Sequence, residues 1–427
     1  MKKSITILFC ILSVSSIAQD DAARLRQEVF SLTKVMYHDV VNPPAAARFY
    51  SYCMLTGYEI LWQFNKERPS FQKKFKGYPA INLQTDARIV NVPFTVLYGV
   101  LESGRNILPS GYLLEDDLQL LVLEYRKKLS KAVMDSSMAF AKQISKSILQ
   151  YSRTDGYFKL STLKRYTPKG SDSTWRPTPP EYMAAVEPNW QTIRTFFLDS
   201  ARQFPSTPAT YYSSTKGSNF YQLVNEVYET GRNLSDEQKF IANYWDCNPF
   251  AVQYSGHMSV GLKKISPGGH WMSITGIVSK QAEMDLAATM ALYTIVSCSL
   301  HDAFIVCWDE KFRSNRIRPE TAVNRLIDEK WKPLLQTPPF PEYTSGHSVI
   351  STTTGELLTH ILGDNFSFTD TTESYIGMPS RSFTSFRQAA DEACISRLYG
   401  GIHFRDAIEN GREQGKRIAA YIIGKLQ

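Results

Sequence analysis

The sequence predicts an all-α protein made of packed helix bundles. Three observations favour this fold class: apolar residues recur at three- and four-residue spacing over long segments, strand signals are few, and there is no internal repeat. With 427 residues, of which 21% are charged and 12% aromatic, the chain is long enough for one large or two medium globular domains.

The N-terminus predicts a secretory signal peptide over residues 1–18. Lys2 and Lys3 precede a short apolar run, and Ser16-Ile17-Ala18 supplies small residues for cleavage. We therefore expect an exported protein, periplasmic or extracellular. Loss of both lysines lowers the formal net charge from +7 to +5. Without a dense basic run, that charge does not indicate nucleic-acid binding.

In the first half of the chain, the strongest helical pattern covers residues 115–150, which contain no Gly or Pro. Shorter helices are predicted over residues 45–64 and 93–101. Residues 153–190 are rich in Pro, Gly and Ser. This irregular loop is predicted to break the helices and to cover a cleft or join two halves.

In the second half, Ser235 predicts a helix N-terminus because Gln238 stands at the capping-box position. The longest uncharged run, residues 286–300, is shorter than the ~20 residues of a membrane span. We therefore expect a core helix there and a soluble mature chain without a membrane span. The other predicted helices cover residues 220–230, 280–311, 345–362, 383–399 and 405–425.

These patterns predict a signal peptide over residues 1–18, an N-terminal helical region over 19–215 and a C-terminal helical catalytic region over 216–427. After cleavage an odd number of cysteines remains, none at metal-ligand spacing. Export permits a disulfide, but burial as small apolar side chains is the favoured role. These cysteines are Cys53, Cys247, Cys298, Cys307 and Cys394.

Three segments in the last third carry candidate functional groups. Lys311 and Arg318 lie at and just beyond the end of the long apolar helix. Ser345-Gly346-His347 opens a helix after a Pro-rich loop. Ser396-Arg397 is followed, after a pair of glycines, by His403. Taken alone, each has an ordinary explanation as a solvated charge, a helix cap or a structural histidine.

As a set, these groups suit a tetrahedral oxyanion. Guanidinium groups match its geometry, and an ammonium adds positive charge. A helix start adds a hydroxyl, free N–H donors and the positive end of the helix dipole, and Gly346 lets the backbone approach the ligand closely. Two imidazoles remain, one to bond the central atom and one to move protons.

The pattern Lys-x6-Arg-Pro, then Ser-Gly-His, then Ser-Arg-x5-His resembles the signature of the superfamily that joins type 2 phosphatidic acid phosphatases with vanadium-dependent haloperoxidases. All three segments occur in order over residues 311–404, and the helical character upstream is similar to the larger, haloperoxidase-type members. Thr344 departs from the pattern, because the family usually has Pro before Ser-Gly-His; the change removes no functional group.

The resemblance implies a role for each matching residue. His403 would coordinate vanadium, or attack phosphorus in a phosphatase, and His347 would be the general acid/base. Lys311 would also polarise bound hydrogen peroxide. The residues that would bind the oxygens of vanadate or phosphate are Lys311, Arg318, Ser345, Gly346 and Arg397.

Flanking aromatic residues and chain length favour the peroxidase. Trp308 and Phe340 match aromatic positions that line the halide side of haloperoxidase pockets, although core packing is the ordinary explanation for either. Soluble acid phosphatases of the superfamily are much shorter, and its lipid phosphatases span membranes. The resemblance therefore implies a vanadate cofactor, with phosphate as its competitor. Hydrogen peroxide would oxidise halide to hypohalous acid, which halogenates small organic acceptors.

Two other functions stay open. An acid phosphatase would use the same pocket through a phosphohistidine intermediate on phosphate monoesters, and a non-catalytic protein would bind an oxyanion without turnover. Iodide or bromide is the expected halide. Phe340 stands where algal bromoperoxidases tend to carry His, so their preference does not transfer directly.

Histidines outside the three segments are interpreted as structural or as the rim of the pocket. A second Ser-Gly-His at residues 255–257 and His270 lack companion motifs of their own. His301-Asp302, two turns before Trp308 on the same predicted helix, is a candidate for a supporting contact to the site.

Overall fold

The fold is helical, as predicted. The computed structural model describes residues 3–81, 89–255, 258–261 and 264–427, and side chains throughout these ranges except at 3–20 and 252–260. The described α-helices are α1 (Lys3–His38), α2 (Pro43–Phe64), α3 (Val92–Ile107), α4 (Glu115–Arg126), α5 (Lys131–Arg153), α6 (Asn219–Arg232), α7 (Asp236–Tyr244), α8 (Pro267–Gln281), α9 (Leu286–Ser314), α10 (Pro319–Leu326), α11 (Gly346–Leu362), α12 (Phe386–Tyr399) and α13 (Arg405–Leu426).

Strands are few in the described residues. Strand β1 (Val252–Ser255) pairs with β2 (Met258–Gly261), and β3 (Phe368–Asp370) pairs with β4 (Arg381–Phe383). Both pairs are antiparallel. The all-α prediction is therefore confirmed.

Two of the predicted helical segments are each divided between two helices in the structure. The segment predicted over residues 115–150 is divided between α4 and α5, because the Ser130 hydroxyl accepts from the N–H of Val133 and starts a new helix. The segment predicted over 280–311 begins with the end of α8, and α9 starts only after Asp285, whose carboxylate accepts from the N–H of Ala288 at 2.7 Å. By contrast, the predicted capping box of Ser235 and Gln238 is present in both directions.

The long loop is irregular along its length. Between α5 and α6 the chain contains two short 3-10 helices, Tyr157–Thr162 and Trp190–Thr192, and no α-helix. The Trp175 N–H donates to Asn315 at 2.8 Å, and the Val186 N–H donates to Pro339 at 3.0 Å. These bonds hold the loop beside the segments that precede Arg318 and His347.

The apolar helix α9 is a core helix. It is 29 residues long, so by length and composition it could cross a membrane. However, 89% of its most apolar 18-residue window is buried inside the protein. The five cysteines whose side chains the structure describes are all buried and none forms a disulfide, which confirms their predicted burial.

Residue contacts group the chain into two compact units. The first contains Met1–Asp39, Arg48–Thr154 and Met272–Cys298, and the second contains Val40–Ala47, Asp155–Trp271 and Ser299–Gln427. The predicted boundary after residue 215 divides the chain at one point, whereas each of these units is made of three separate segments of the chain.

In the first unit, α3 packs against α1 and α5. Its buried Ser103 hydroxyl is bonded to Thr56 at 2.8 Å and to Ser145 at 2.9 Å, so these three hydroxyl groups of the core are paired.

In the second unit, α11 packs against α12 and α13. The approach of α13 depends on glycine: a Cβ at Gly415 would lie 2.7 Å from the Val349 carbonyl oxygen, and one at Gly411 would lie 2.9 Å from Ser348 Cβ. This close packing fixes the start of α11. A separate apolar cluster buries Ile317 and Phe404, the neighbours in sequence of Arg318 and His403.

Candidate active site

A small cavity in the second unit is lined by residues of the second and third sequence segments, whereas Lys311, Arg318 and Ser345 are not among its lining residues. Its volume is about 40 Å³, enough for a few water-sized groups. Among the residues that line it are six of the predicted site residues: Trp308, Phe340, Gly346, His347, Arg397 and His403.

His403 is held at both ring nitrogens. Nδ1 lies 2.9 Å from Glu342 Oε1, and Nε2 lies 3.2 Å from Arg318 Nη1. Burial, followed by the charges of Arg318, Lys311 and Arg397, lowers the pKa of His403 well below its usual value. The ring is therefore neutral at pH 7. A proton on Nδ1, shared with Glu342, leaves a lone pair on Nε2, which accepts from Arg318 here and could bond a ligand that displaces this contact.

Arg318 is buried between the Pro-rich loop and the end of α12. Its Nε donates to the Phe340 carbonyl at 2.9 Å, and Nη1 donates to the Ile402 carbonyl at 2.8 Å. Nη2 is buried and has no hydrogen-bond partner among the described residues. A buried guanidinium N–H without an acceptor is costly, so this donor is available to an acceptor that the described residues do not supply.

Lys311 is buried behind the start of α11. Its Nζ donates to three backbone carbonyls, those of Pro341 at 3.1 Å, Glu342 at 3.0 Å and Thr344 at 2.5 Å. Burial lowers the pKa of Lys311 to about 7, which favours the neutral amine. The three carbonyl acceptors favour the ammonium form, because they match its three N–H donors. In this structure Lys311 braces the loop before Ser345 and contributes positive charge to the site.

The start of α11 presents backbone donors to the cavity. Ser345 is the N-cap, and its hydroxyl accepts from the N–H of Ser348 at 3.3 Å. The amides of Gly346 and His347 lie in the first turn, where helix geometry supplies no acceptor. A Cβ added at Gly346 would meet only Lys311 Cε, at 3.9 Å, so the space beside this residue is open.

His347 is the second buried imidazole of the cavity. Burial and the charge of Arg397 lower its pKa well below the usual value, and a hydrogen bond to the backbone of Trp245 partly offsets this shift. Its Nε2 has no hydrogen-bond partner in the described part of the chain. A neutral imidazole with a free nitrogen can accept or relay a proton.

Arg397 contributes the second guanidinium. It is 1% exposed, and its Nε donates to Ser396 Oγ at 2.9 Å while Nη2 donates to the Ala242 carbonyl at 3.2 Å. These bonds hold the group in the cavity wall.

One side of the cavity is aromatic. The Trp308 ring lies 5.0 Å from Phe340 and 5.5 Å from Phe304, centroid to centroid. The Trp308 indole N–H donates to the Val186 carbonyl at 3.2 Å, so the irregular loop supports this wall. The Phe340 ring also lies 5.1 Å from the Arg318 guanidinium, a cation–π contact.

Comparison with known proteins decides between the members of the superfamily. The family model described as the VCPO second helical-bundle domain matches residues 291–427. A solved bacterial vanadium-dependent iodoperoxidase is 40% identical with a TM-score of 0.89, and the match covers 95% of this chain and 97% of that one. This chain belongs to the vanadium-dependent haloperoxidases.

More distant haloperoxidases share the fold alone. The holo and apo forms of a bacterial vanadium-dependent chloroperoxidase are each 14% identical to this chain, with TM-scores of 0.67 and 0.64. The matches cover 91% and 89% of this haloperoxidase and 92% and 94% of those chains. No curated protein matches the sequence.

Sequence reasoning missed Glu342, the residue that contacts His403 Nδ1 in this haloperoxidase. Its only signal is a carboxylate in the Pro-rich segment that precedes Ser345. It also missed Phe304, although that residue stands one helical turn before Trp308 and lines the cavity. The loop of residues 246–250, which forms another part of the wall, carries no motif.

Asp302 supports the loop before α6 instead of the cavity residues. Its carboxylate accepts from the N–H groups of Phe196 at 2.7 Å, Phe197 at 2.7 Å and Leu198 at 3.0 Å. The neighbouring His301 bonds to the Arg194 carbonyl at 3.0 Å.

His257, in the second Ser-Gly-His, falls outside the described residues. His270 is buried and lies 2.7 Å from Asp370, a partner that no motif indicated.

Proposed function

We propose that this haloperoxidase uses hydrogen peroxide to oxidise halide to hypohalous acid, with iodide or bromide as the favoured halide. The observation that carries the proposal is a cavity lined by two neutral imidazoles and the buried guanidinium of Arg397, with the buried guanidinium of Arg318 in contact with His403. The 40% identity to a bacterial iodoperoxidase supports iodide. The hypohalous acid would then halogenate small organic acceptors.

The residues present fit vanadate. Arg318 Nη2 and His347 Nε2 are buried polar atoms without partners among the described residues, and an oxyanion would satisfy an unpaired guanidinium donor. His403 Nε2 would be the coordinating atom, because Nδ1 is engaged by Glu342. When bound, vanadate would supply a Lewis acid that activates hydrogen peroxide.

Positive groups and backbone donors would hold the oxyanion. Arg318 and Arg397 would bind its oxygens, and the Gly346 N–H would add a donor at the positive end of α11. Ser345 caps this helix and would complete the cradle with its hydroxyl. Lys311 would supply positive charge and, once a ligand competes with its carbonyl acceptors, a donor toward bound peroxide. Phosphate would compete, since it has the same charge and shape.

His347 would move the proton. Because it is buried and neutral, it can accept a proton from hydrogen peroxide and return it to a departing oxygen. The aromatic wall formed by Trp308 and Phe340 would partly strip the halide of water and keep water away from the reacting oxygen.

Activity assays test this proposal. The purified chain is incubated with orthovanadate, hydrogen peroxide and iodide or bromide, and in parallel with p-nitrophenyl phosphate. We expect vanadate-dependent halide oxidation that is lost in His403→Ala. Phosphate ester hydrolysis without halide oxidation would favour a phosphatase with a phosphohistidine intermediate. Oxyanion binding without turnover of either substrate would favour a binding protein.

We also propose that the chain is exported and that residues 1–18 are its signal peptide. The basic start and the small residues before the cleavage position support this assignment. Expression in a bacterial host followed by mass measurement of the periplasmic or secreted protein tests it. A product that begins at residue 19 is expected, and an uncleaved product retained in the cytoplasm would contradict it.

A further inference from the structure

A second group of ligand-type side chains lies in the same unit, next to the wall of the cavity. Cys247 follows α7, His270 lies in the first turn of α8, and Glu373 lies in the short 3-10 helix Thr372–Ile376 after β3. All three side chains are buried, with His270 at 0% exposure. Cys247 and His270 are 23 positions apart and Glu373 lies about a hundred positions further along the chain, so only the fold brings the three together.

Their separations match those of a tetrahedral metal site. Cys247 Sγ lies 3.5 Å from His270 Nδ1, and His270 Nδ1 lies 3.4 Å from Glu373 Oε1. Zinc bonds of about 2.3 Å to sulfur and about 2.0–2.1 Å to nitrogen and oxygen, at tetrahedral angles, place sulfur and nitrogen about 3.6 Å apart and nitrogen and oxygen about 3.3 Å apart. The three ligand atoms all lie within 4.8 Å of one another, so the sulfur and oxygen can close on one ion with a small shift.

The other ring nitrogen of His270 contacts a carboxylate, as the second nitrogen of a metal-bound histidine commonly does. Its Nε2 lies 2.7 Å from Asp370 Oδ2, and the other oxygen of Asp370 accepts from the Thr372 N–H at 2.9 Å. A carboxylate at one ring nitrogen places the proton there and directs the lone pair of the other nitrogen toward a metal. Trp245 stacks on the ring at 4.6 Å and 20°, which fixes its orientation.

The charge of the cluster favours a cation over an oxyanion. A thiolate at Cys247 and a carboxylate at Glu373 would neutralise a divalent ion, whereas vanadate would meet the carboxylates of Asp370 and Glu373. Thiolate, imidazole and carboxylate together select zinc or similar transition metals over Mg²⁺ and Ca²⁺.

We propose that Cys247, His270 and Glu373 bind a zinc-class divalent cation through Sγ, Nδ1 and Oε1, with Asp370 supporting the imidazole. Binding releases the thiol proton of Cys247 and any proton on His270 Nδ1. Cys247 belongs to the loop of residues 246–250 that lines the cavity, so the ion would hold this part of the wall in place. The site is distinct from the proposed vanadate ligand His403.

Cobalt provides a spectroscopic test on the full chain. The protein is treated with a chelator, dialysed and titrated with Zn²⁺ or Co²⁺ alone, without vanadate. We expect one equivalent to bind, with a thiolate-to-cobalt absorption in the near ultraviolet and tetrahedral bands in the visible. Cys247→Ala removes the thiolate band, while Cys53→Ala, a buried thiol of the other unit, leaves it unchanged.

A second variant keeps the test decisive if Cys247→Ala does not fold. Glu373→Gln is nearly isosteric and should weaken cobalt binding by about 10- to 100-fold. Absence of stoichiometric binding in the wild type would overturn the proposal, because the cluster would then hold a proton between His270 and its carboxylates. Cobalt binding and a cobalt spectrum that are both unchanged in Cys247→Ala or in Glu373→Gln would also overturn it. Since halide oxidation is not measured, failure here is separate from failure of the proposed function.

Discussion

Glu342 and His403 are joined through a single carboxylate oxygen. Oε1 of Glu342 lies 2.9 Å from His403 Nδ1 and also accepts from the Phe404 N–H at 2.9 Å. Both the ring and the backbone beside it are therefore fixed by one side chain. Burial raises the pKa of Glu342 to about 7, and the guanidinium of Arg316, 3.4 Å from Oε2, acts in the opposite direction.

Replacing Glu342 tests whether it positions His403. Glu342→Gln keeps one oxygen acceptor but loses the charge that favours a proton on Nδ1. We expect vanadate affinity to fall by about 10- to 100-fold, the range seen when the partner of a metal-bound histidine is removed. Equilibrium dialysis with orthovanadate measures this.

The control is Glu320→Gln, which removes a half-buried carboxylate on α10 that bonds Thr337 at 2.5 Å. It should bind vanadate as the wild type does. Equal vanadate affinity in Glu342→Gln and the wild type would show that Glu342 does not position His403 for the ligand.

The open space beside Gly346 predicts an effect on ligand binding without an effect on folding. An added Cβ meets no protein atom closer than 3.9 Å, so Gly346→Ala should fold with an unchanged melting temperature. The methyl group would occupy the space through which the helix N-terminus approaches the oxyanion, and we expect at least about a tenfold loss of vanadate and phosphate affinity.

Gly424→Ala is the matched control, because a Cβ at that position in α13 meets no atom within 4 Å. Competition between vanadate and phosphate measured by calorimetry compares the two variants. Full affinity in Gly346→Ala would show that the backbone at this position does not border the ligand.

The aromatic wall predicts a change in halide binding. Phe340→Leu keeps an apolar side chain but removes a ring that packs 5.0 Å from Trp308. Because the remaining wall would exclude water less completely, we expect the KM for iodide to rise by about three- to tenfold, while the affinity for vanadate changes less. A steady-state iodide titration at saturating vanadate measures this, and a loss confined to vanadate binding would contradict it.

Asp302 predicts a pH-dependent contribution to stability. Burial raises its pKa to about 7, although the N–H groups of Phe196, Leu198 and Phe197 act in the opposite direction. A carboxyl group whose pKa is higher in the folded than in the unfolded chain binds more protons when folded. The contribution of the Asp302 carboxyl group to the free energy of unfolding is therefore fully present below about pH 4 and is lost as the pH rises to about 7.

Asp302→Asn should lower the melting temperature, because the two oxygens of the carboxyl group accept from three N–H groups and the amide has one oxygen and an NH2 group that cannot accept. The difference from the wild type should be larger at pH 5 than at pH 8. Thermal unfolding followed by circular dichroism at both values measures it. A difference that widens toward pH 8 would show that the ionised carboxylate carries these bonds.

Local features of the fold were predictable from sequence, and long-range ones were not. Ser235 and Ser345 were predicted as helix caps because a cap is decided within a few residues of the chain. The division between α4 and α5 was missed because Ser130 caps a helix without a Gly or Pro to mark the turn.

For the site, the three motifs named the residues that bear charge or an imidazole, because each motif is a short spacing in the sequence. The contact between Glu342 and His403 spans 61 positions. The contact between His270 and Asp370 spans 100. Neither pair carries a spacing rule, so a buried carboxylate that supports a histidine is visible only once the helices are packed.

Vanadate binding to the wild type and to His403→Ala tests the central claim most directly. Equilibrium dialysis of both proteins against orthovanadate, with and without excess phosphate, measures stoichiometry and competition. We expect one vanadium per wild-type chain, displaced by phosphate, and no stoichiometric binding when the imidazole is removed. Stoichiometric binding of equal affinity in folded His403→Ala would contradict the assignment of His403 Nε2 as the ligand.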